Sequence, residues 1–257
     1  MKMPDKIREL INEKALFVIN DSAGKDSQAM KHLLIKNIPI NQLVIVHAKL
    51  PEVDWDGNLE HIKRYSFGVP VYEVQAGKTF FEMVNRRGKF PSPSTRQCTS
   101  DLKRDPIQKF INRYAKDNGF TKVVNCMGLR AEESPGRAKK PVLKLSTRAS
   151  CKHREQWEWL PIHDLTLVAI KILLIGAGQE LHWAYKEGMN RLSCCFCIMS
   201  CQDDLKTAAR LKPELAEKYM ETEERLNFTM SMSRVPLRKL LNGEKTLPGS
   251  CQKTCKF

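Results

Sequence analysis

Short apolar runs alternate with helical patterns through the first two thirds of the chain. Ala15–Asn20 has strand length and ends in a small polar turn, and beyond it Ala29, Met30, Leu33 and Leu34 keep helical spacing. Leu43–Leu50 predicts a second strand, Leu59–Phe67 a helix and Val69–Val74 a third strand. That β-α-β-α-β order predicts a parallel sheet with helices on its faces, because parallel neighbours need crossover connections. A Pro- and Ser-rich loop, Pro91–Thr95, precedes a predicted helix over Ile107–Asn118, a fourth strand over Lys122–Leu129 and a fifth over Trp157–Ile162. From Leu165 the pattern turns helical. Leu165–Gly178 is apolar except for Lys171 and predicts a buried helix, being shorter than the ~20 residues of a membrane span. Asp203–Arg225 predicts the longest helix, with Asp203 and Asp204 at its start and Arg225 at its end suiting the helix dipole. The expected architecture is an α/β domain with a parallel sheet over residues 1–165, followed by a helical, cysteine-bearing extension with a basic tail over 166–257.

Composition and charge narrow the class. With 257 residues, 42% hydrophobic and 28% charged, the sequence is that of a folded globular protein, which excludes collagen-like and disordered chains. Met1–Leu10 is charged and lacks an apolar leader core, so a cytoplasmic protein with no membrane partner is expected. Lys and Arg number 43 against 29 Asp and Glu, a net charge of +14 that favours a polyanionic partner or a phosphate-rich substrate. Two segments concentrate the excess: Arg130–Arg154 with eight basic and two acidic residues, and Arg225–Phe257 with seven and one. The nine cysteines are odd in number in a chain without a leader, which points to metal or redox chemistry rather than a disulfide framework. Cys194, Cys195, Cys197 and Cys201 form one cluster and Cys251 and Cys255 another, while Cys98, Cys126 and Cys151 stand apart.

The segment Ser22-Ala23-Gly24-Lys25-Asp26-Ser27 falls where the first strand meets the first helix. Ligands of open parallel sheets bind at the carboxyl ends of strands, where small residues let backbone N–H groups and a helix N-terminus close around phosphate. The segment is therefore a candidate phosphate loop, with an ordinary turn capped by Asp21 or Ser22 as the alternative. It is not a Walker A loop, which would need Gly at Ile19 and Ser or Thr at Asp26, and no G-x-G-x-x-G fingerprint occurs.

Ser22–Ser27 resembles the PP-loop of the adenine nucleotide α-hydrolase-like superfamily, and further motifs in matching order resemble its phosphoadenosine phosphosulfate (PAPS) reductase branch. These are Cys98-x-x-x-x-Lys103 with Pro106, Gly128-Leu129-Arg130-Ala131-Glu132-Glu133-Ser134 with Arg137, Trp159–Asp164, and Tyr185-x-x-Gly188-x-x-Arg191-Leu192-x-Cys194-x-x-Cys197. The resemblance spans about residues 15 to 230 and implies a Rossmann-like core that binds an adenine nucleotide, ATP or PAPS, through Ser22, Ala23, Gly24, Lys25, Asp26, Ser27, Gly128 and Arg130. Negative charge developing near an α-phosphate would be stabilised by Lys25, Lys103, Arg130 and Arg137. Asp26 organises either the loop or a magnesium ion. Glu132 and Glu133 either bind metal, orient Arg130 or are solvated; Glu52, Asp54 and Trp55 are candidates for a ribose or base rim.

The resemblance also implies a [4Fe-4S] cluster, with Cys98, Cys194 and Cys197 mapping as ligands, Cys201 as the nearest fourth, Cys126 as its rival, and structural zinc as the alternative metal. It places the cluster beside the nucleotide, with Cys195 pointing away. His32, His61 and His182 read as packed or capping, His163 has a motif neighbour in Asp164, and Met220, Met230 and Met232 read as core. The reductases of this branch end in E-C-G-[IL]-H, whereas here Cys251 and Cys255 sit in S-C-Q-K-T-C-K-F, flanked by lysines that favour a persulfide or a disulfide, or else form an incidental tail. Three functions follow as alternatives. One is an ATP-dependent sulfurtransferase acting on DNA or RNA, similar to the DNA phosphorothioation sulfurtransferases and needing a sulfur donor. The second is a PAPS or adenylylsulfate reductase needing a thioredoxin-like reductant. The third is a non-catalytic nucleotide-sensing, nucleic-acid-binding module. A homodimer is compatible with each.

Overall fold

The computed structural model describes residues 3–231 and 234–243; Met232, Cys251, Cys255 and the end of the basic tail lie outside them. In chain order the main elements are α1 (Asp5–Asn12), β1 (Leu16–Asn20), α2 (Lys25–Asn37), β2 (Leu43–Lys49), α3 (Asn58–Arg64), β3 (Val71–Gln75), α4 (Phe80–Arg87), α5 (Asp105–Asp117), β4 (Lys122–Cys126), β5 (Leu143–Leu145), β6 (Glu155–Trp159), α6 (Leu167–Gly176), α7 (Gln202–Leu211) and α8 (Pro213–Leu226). The strands form one mostly parallel sheet in the order β3-β2-β1-β4-β6-β5. β1 pairs in parallel with β2, Phe17 facing Leu43, and with β4, Leu16 facing Val123; β6 continues this beside β4, and only β5 is shown antiparallel, Leu143 facing Trp159. The three-residue β5 escaped the sequence pattern because Leu143-Lys144-Leu145 is too short to show an alternation.

The chain divides into two compact units. Among the described residues, the first comprises 3–48, 57–74 and 106–182, and the second 49–56, 75–105 and those from 183 to 243. In the first unit, one sheet face presents Leu16, Val18, Val44, Val46 and Val123 to Ile111 and Ala115 of α5, with Ile107, Phe110 and Tyr114 completing the helical stripe. These strand residues are two apart and those helix residues three or four apart, so each period brings one apolar side to the same layer. On α6 only Leu167, Ile170 and Leu174 are buried, while Val168, Ile172 and Ile175 are 65–76% exposed. The expected wholly buried helix is thus one-sided, because a sequence apolar on every side conceals which face packs.

In the second unit the expected single helix Asp203–Arg225 is two helices. Pro213 has no N–H and disfavours helical geometry at the residue before it, and Lys212 takes φ −136°, ψ 65° at the break. α8 then closes on Asn227 in the left-handed region. α4, which the apolar pattern did not reveal, starts with a capping box in which Thr79 accepts from the Glu82 N–H and Glu82 accepts from the Thr79 N–H. No helix of the described residues is long and apolar enough to cross a membrane.

Candidate functional site

The order of strands reverses between β1 and β4, and the first unit places its candidate site at their carboxyl ends. β1 runs into Asp21 and the loop Ser22–Gly24, and α2 starts at Lys25 with Gly24 as its N-cap and no side chain capping it. The N-cap position is taken by Gly24 and not by Asp21 or Ser22. Asp21 instead shapes the loop: its Oδ1 accepts from the Ala23 N–H at 2.9 Å and lies 2.8 Å from Ser27 Oγ, and its Oδ2 pairs with Lys31 Nζ at 2.7 Å. Ala23 takes φ +61°, a left-handed conformation that its hydrogen bond to Asp21 holds. Ser27 Oγ also accepts from the Ser22 N–H at 3.2 Å, so the loop is tied at both ends. The N-terminal N–H groups of a helix such as α2 are the kind of donors a phosphate needs.

From the end of β4 comes the opposite wall. A Cβ on Gly128 would lie 3.2 Å from backbone atoms of Asp26 and Ser27, so only glycine lets this loop approach α2 so closely. Arg130, buried, donates from Nε to Asp26 Oδ1 at 2.6 Å and from Nη1 to Glu132; Lys25 Nζ lies 3.8 Å from Asp26 Oδ2. Burial works against the Arg130 charge, and Asp26, Glu133 and Glu132 outweigh it. Arg137 pairs with Glu133, and its carbonyl faces His163 Nε2 at 3.0 Å. Of the roles open to Glu132 and Glu133, both pair with arginines here, and Glu132 also accepts from the Leu167 N–H at 2.8 Å. The structure thus brings Lys25, Asp26, Gly128, Arg130 and Arg137 into one network. Cys126 lies in the sheet, its thiol pushed up by complete burial.

Behind the loop runs a buried polar chain that joins His32 and His61, expected only as packed or capping, through Gln28 and Gln179, which the sequence did not single out. His61 Nε2 meets Gln28 Oε1 at 3.1 Å; Gln28 Nε2 donates to Gln179 Oε1 at 3.1 Å; Gln179 Nε2 meets His32 Nδ1 at 3.0 Å. His182 lies outside any helix, its ring 5.4 Å from that of His61. Burial, with His182 second, pushes the His61 imidazole down to about 4.

The second unit holds Cys98, Cys194, Cys195, Cys197 and Cys201. Cys98 lies in the helical turn Gln97–Thr99 and Lys103 in the wide π turn Ser100–Arg104 that follows. Lys103 is held charged above its usual range chiefly by Cys194, against its burial, with Asp54, Cys197 and Cys98 adding to the effect. Burial pushes the Cys194 thiol up to about 12, the Lys103 cation opposing it. Cys98, Cys194, Cys197 and Lys103 therefore form one electrostatic group. Cys195 is fully buried, and its N–H donates to the Val53 carbonyl at 2.8 Å. Cys201 is half-buried at the N-cap of α7, its carbonyl accepting from the Leu205 N–H. Among the described residues no set of three or more His, Cys, Asp or Glu could hold a metal ion. The donor chemistry of the group nonetheless suits a [4Fe-4S] cluster, in which each cysteine binds a different iron and the thiolates ring a core instead of meeting at a point. The candidate base rim is otherwise committed: Glu52 pairs with Lys218, Asp54 Oδ2 accepts from the Leu50 N–H, and Trp55 is buried against Trp183. Met220 and Met230 are buried.

The sequence pattern of the phosphoadenosine phosphosulfate reductase domain matches residues 17–200, a stretch that includes both groups. The chain belongs to that family. An uncharacterized protein of Methanocaldococcus jannaschii is 26% identical over 199 residues, 77% of this chain and 39% of its own. An uncharacterized 37.8 kDa protein of Escherichia phage 186 is 27% identical over 150 residues, 57% of this chain and 43% of its own. The chain thus spans less than half the length of these curated relatives. Among solved structures, PAPS reductase from Candida auris is similar with a TM-score of 0.46 at 12% identity, covering 76% of this chain and 97% of that one. The U34-tRNA thiolase NcsA from Methanococcus maripaludis, solved with its [4Fe-4S] cluster, has a TM-score of 0.43 at 14% identity, covering 97% and 86%.

Proposed function

We propose that the chain is an enzyme that activates an adenine nucleotide at its α-phosphate and transfers sulfur, an ATP-dependent sulfurtransferase acting on nucleic acid with a [4Fe-4S] cluster. One observation carries this: a PAPS reductase-family chain that joins Lys25, Asp26, Arg130 and Arg137 at the start of α2 also groups three thiols around a lysine. Attack of an acceptor oxygen on the α-phosphorus breaks the bond to the β-phosphate and releases pyrophosphate; a sulfur nucleophile then displaces AMP. The α2 N–H groups and Lys25 are suited to the negative charge that develops on the phosphate oxygens, and Arg130 enters it by exchanging Asp26 for phosphate. Cys98, Cys194 and Cys197 would hold the cluster, which supplies electrons or an iron that holds sulfur. Lys139, Lys140, Lys144, Arg148 and Lys152, all exposed, supply a cationic surface for a nucleic-acid backbone, with affinity falling about 0.9 log units per log unit of salt for each phosphate neutralised.

The family favours a second function, reduction of PAPS or adenylylsulfate to sulfite. One assay separates them: anaerobic protein is given ATP with sulfide and DNA or RNA, or PAPS with thioredoxin, and AMP, pyrophosphate and sulfite are measured. Pyrophosphate and AMP from ATP with sulfur in the nucleic acid, lost in Lys25→Ala and Asp26→Ala, is the expected result. Sulfite from PAPS makes the chain a reductase, and no product from either leaves a binding module.

A further inference from the structure

Tyr219, in α8 of the second unit, has no solvent exposure. Its ring is enclosed by four others, with centroids of Phe81 and Phe196 at 5.0 Å, Phe80 at 5.6 Å and Phe90 stacked at 5.9 Å. Phenylalanine would fill that cage equally well. The hydroxyl is therefore what distinguishes the residue, and in its buried position it has no hydrogen-bond partner among the described residues. Buried tyrosine hydroxyls find partners in nearly all folded proteins. Phe196 lies between Cys195 and Cys197, so its contact sets the cysteine segment directly on the Tyr219 ring. Burial acts first on the hydroxyl, followed by Cys194, Cys195, Cys197 and Cys98, which include the three mapped ligands but not Cys201. An O–H enclosed by aromatic rings and packed against the cysteine segment lacks an electron-rich acceptor.

We infer that Tyr219 donates its hydroxyl hydrogen to a sulfur of the [4Fe-4S] cluster held by Cys98, Cys194 and Cys197, and by doing so raises the cluster's reduction potential. The inference rests on the cluster proposed above. A donor to cluster sulfur stabilises the reduced form, which carries one more negative charge, in preference to the oxidised form. Tyr219 is thus a positioning and tuning residue, not a ligand.

The full chain, wild type and Tyr219→Phe, is purified anaerobically or reconstituted with iron and sulfide, and three measurements follow. Iron and acid-labile sulfide should be complete in both proteins, and a redox titration followed by electron paramagnetic resonance should give Tyr219→Phe the more negative midpoint potential. Resonance Raman of the wild type should show Fe–S stretching bands that shift on transfer to D2O, a shift the variant loses. Full clusters with equal potentials and no difference in the D2O response would overturn the role of Tyr219 while leaving the cluster standing. A wild type without iron would overturn the cluster and this inference with it. Thermal melting of the cluster-free proteins guards against a folding effect: Tyr219→Phe should melt no lower than wild type, and a large drop would show the hydroxyl satisfied within the protein and refute the proposal. The D2O response of the wild type needs no variant, and its absence from a full cluster counts against the hydrogen bond.

Discussion

The carboxylate of Asp21 and the ammonium of Lys31 meet at 2.7 Å with both side chains essentially out of solvent. Lys31 also donates to the Ile62 carbonyl at 3.0 Å, which joins the phosphate loop through α2 to α3. Burial alone would raise the Asp21 carboxyl, but Lys31, Ser27 and the Ala23 N–H outweigh it and hold it below the usual carboxylate range. Removing one member of such a pair leaves a buried charge without compensation, at about 3–5 kcal/mol. Lys31→Met should therefore lower stability by that amount in urea titration, and Asp21→Asn combined with Lys31→Met should restore much of it. A double variant as unstable as Lys31→Met would show that the lysine contributes packing and not charge.

Gly128 governs how closely the β4 loop lies on α2. A methyl group there meets backbone at 3.2 Å and cannot be relieved by rotating a side chain. Gly128→Ala should cost about 1–3 kcal/mol of stability. Because the displaced atoms belong to Asp26 and Ser27, nucleotide affinity measured by calorimetry should fall about tenfold, or 1.4 kcal/mol. Unchanged affinity would place the nucleotide away from this wall.

Acid should destabilise the protein before it protonates ordinary carboxylates. His61 has its folded pKa pushed down to about 4 from 6.5, first by burial and then by His182. Its neutral form therefore gives stability that is full above pH 6.5 and declines as pH falls toward 4, since only the unfolded state takes up the proton in that window. Asp21, also depressed, adds a loss at lower pH, as acid reaches its folded pKa. One proton corresponds to about 1.4 kcal/mol per pH unit. His61→Gln, with an amide to replace the imidazole N–H toward Gln28, should flatten the stability profile between pH 6.5 and 4 by that slope in denaturant titrations across pH.

What the sequence made legible was what has a period or a motif. β1 and β2 are near-continuous apolar runs, β4 holds the apolar pair Val123–Val124 before Cys126, and α5 carries a clean 3.6-residue stripe, so the parallel core could be read. Pro213 was a visible break signal that the charge pattern at the two helix ends concealed. Ser22–Ser27 and the C-x-x-C spacing are contiguous and could be found as strings. Asp21, Lys31 and Tyr219 could not, because their partners are brought together by folding. Lys31 had one faint signal, a cation beside Met30, Leu33 and Leu34, where a buried lysine requires a partner. The wholly aromatic cage that makes the Tyr219 hydroxyl exceptional draws on Phe80, Phe81, Phe90 and Phe196, residues scattered over more than a hundred positions.

Adjacent cysteines of one segment should behave in opposite ways. Cys194 belongs to the group around Lys103, whereas Cys195 is fully buried, is influenced by Lys212 and Asp56 as well as by Cys194, and has its thiol pushed up first by burial. A buried thiol replaced by a hydroxyl leaves a polar group short of a partner, at about 1–3 kcal/mol. Cys195→Ser should therefore melt at a lower temperature yet retain its iron and sulfide in anaerobic protein. Cys98→Ser, Cys194→Ser and Cys197→Ser should lose most of both, because serine is a poor ligand for iron where sulfur is the matched donor. Cys201 decides the fourth position: loss of iron in Cys201→Ser makes it a ligand, and full iron leaves the fourth site to a group outside this segment. Near-zero iron with one bound zinc in the wild type would replace the cluster with a structural metal, and iron lost from Cys195→Ser but kept in Cys194→Ser would reverse the assignment of the two thiols.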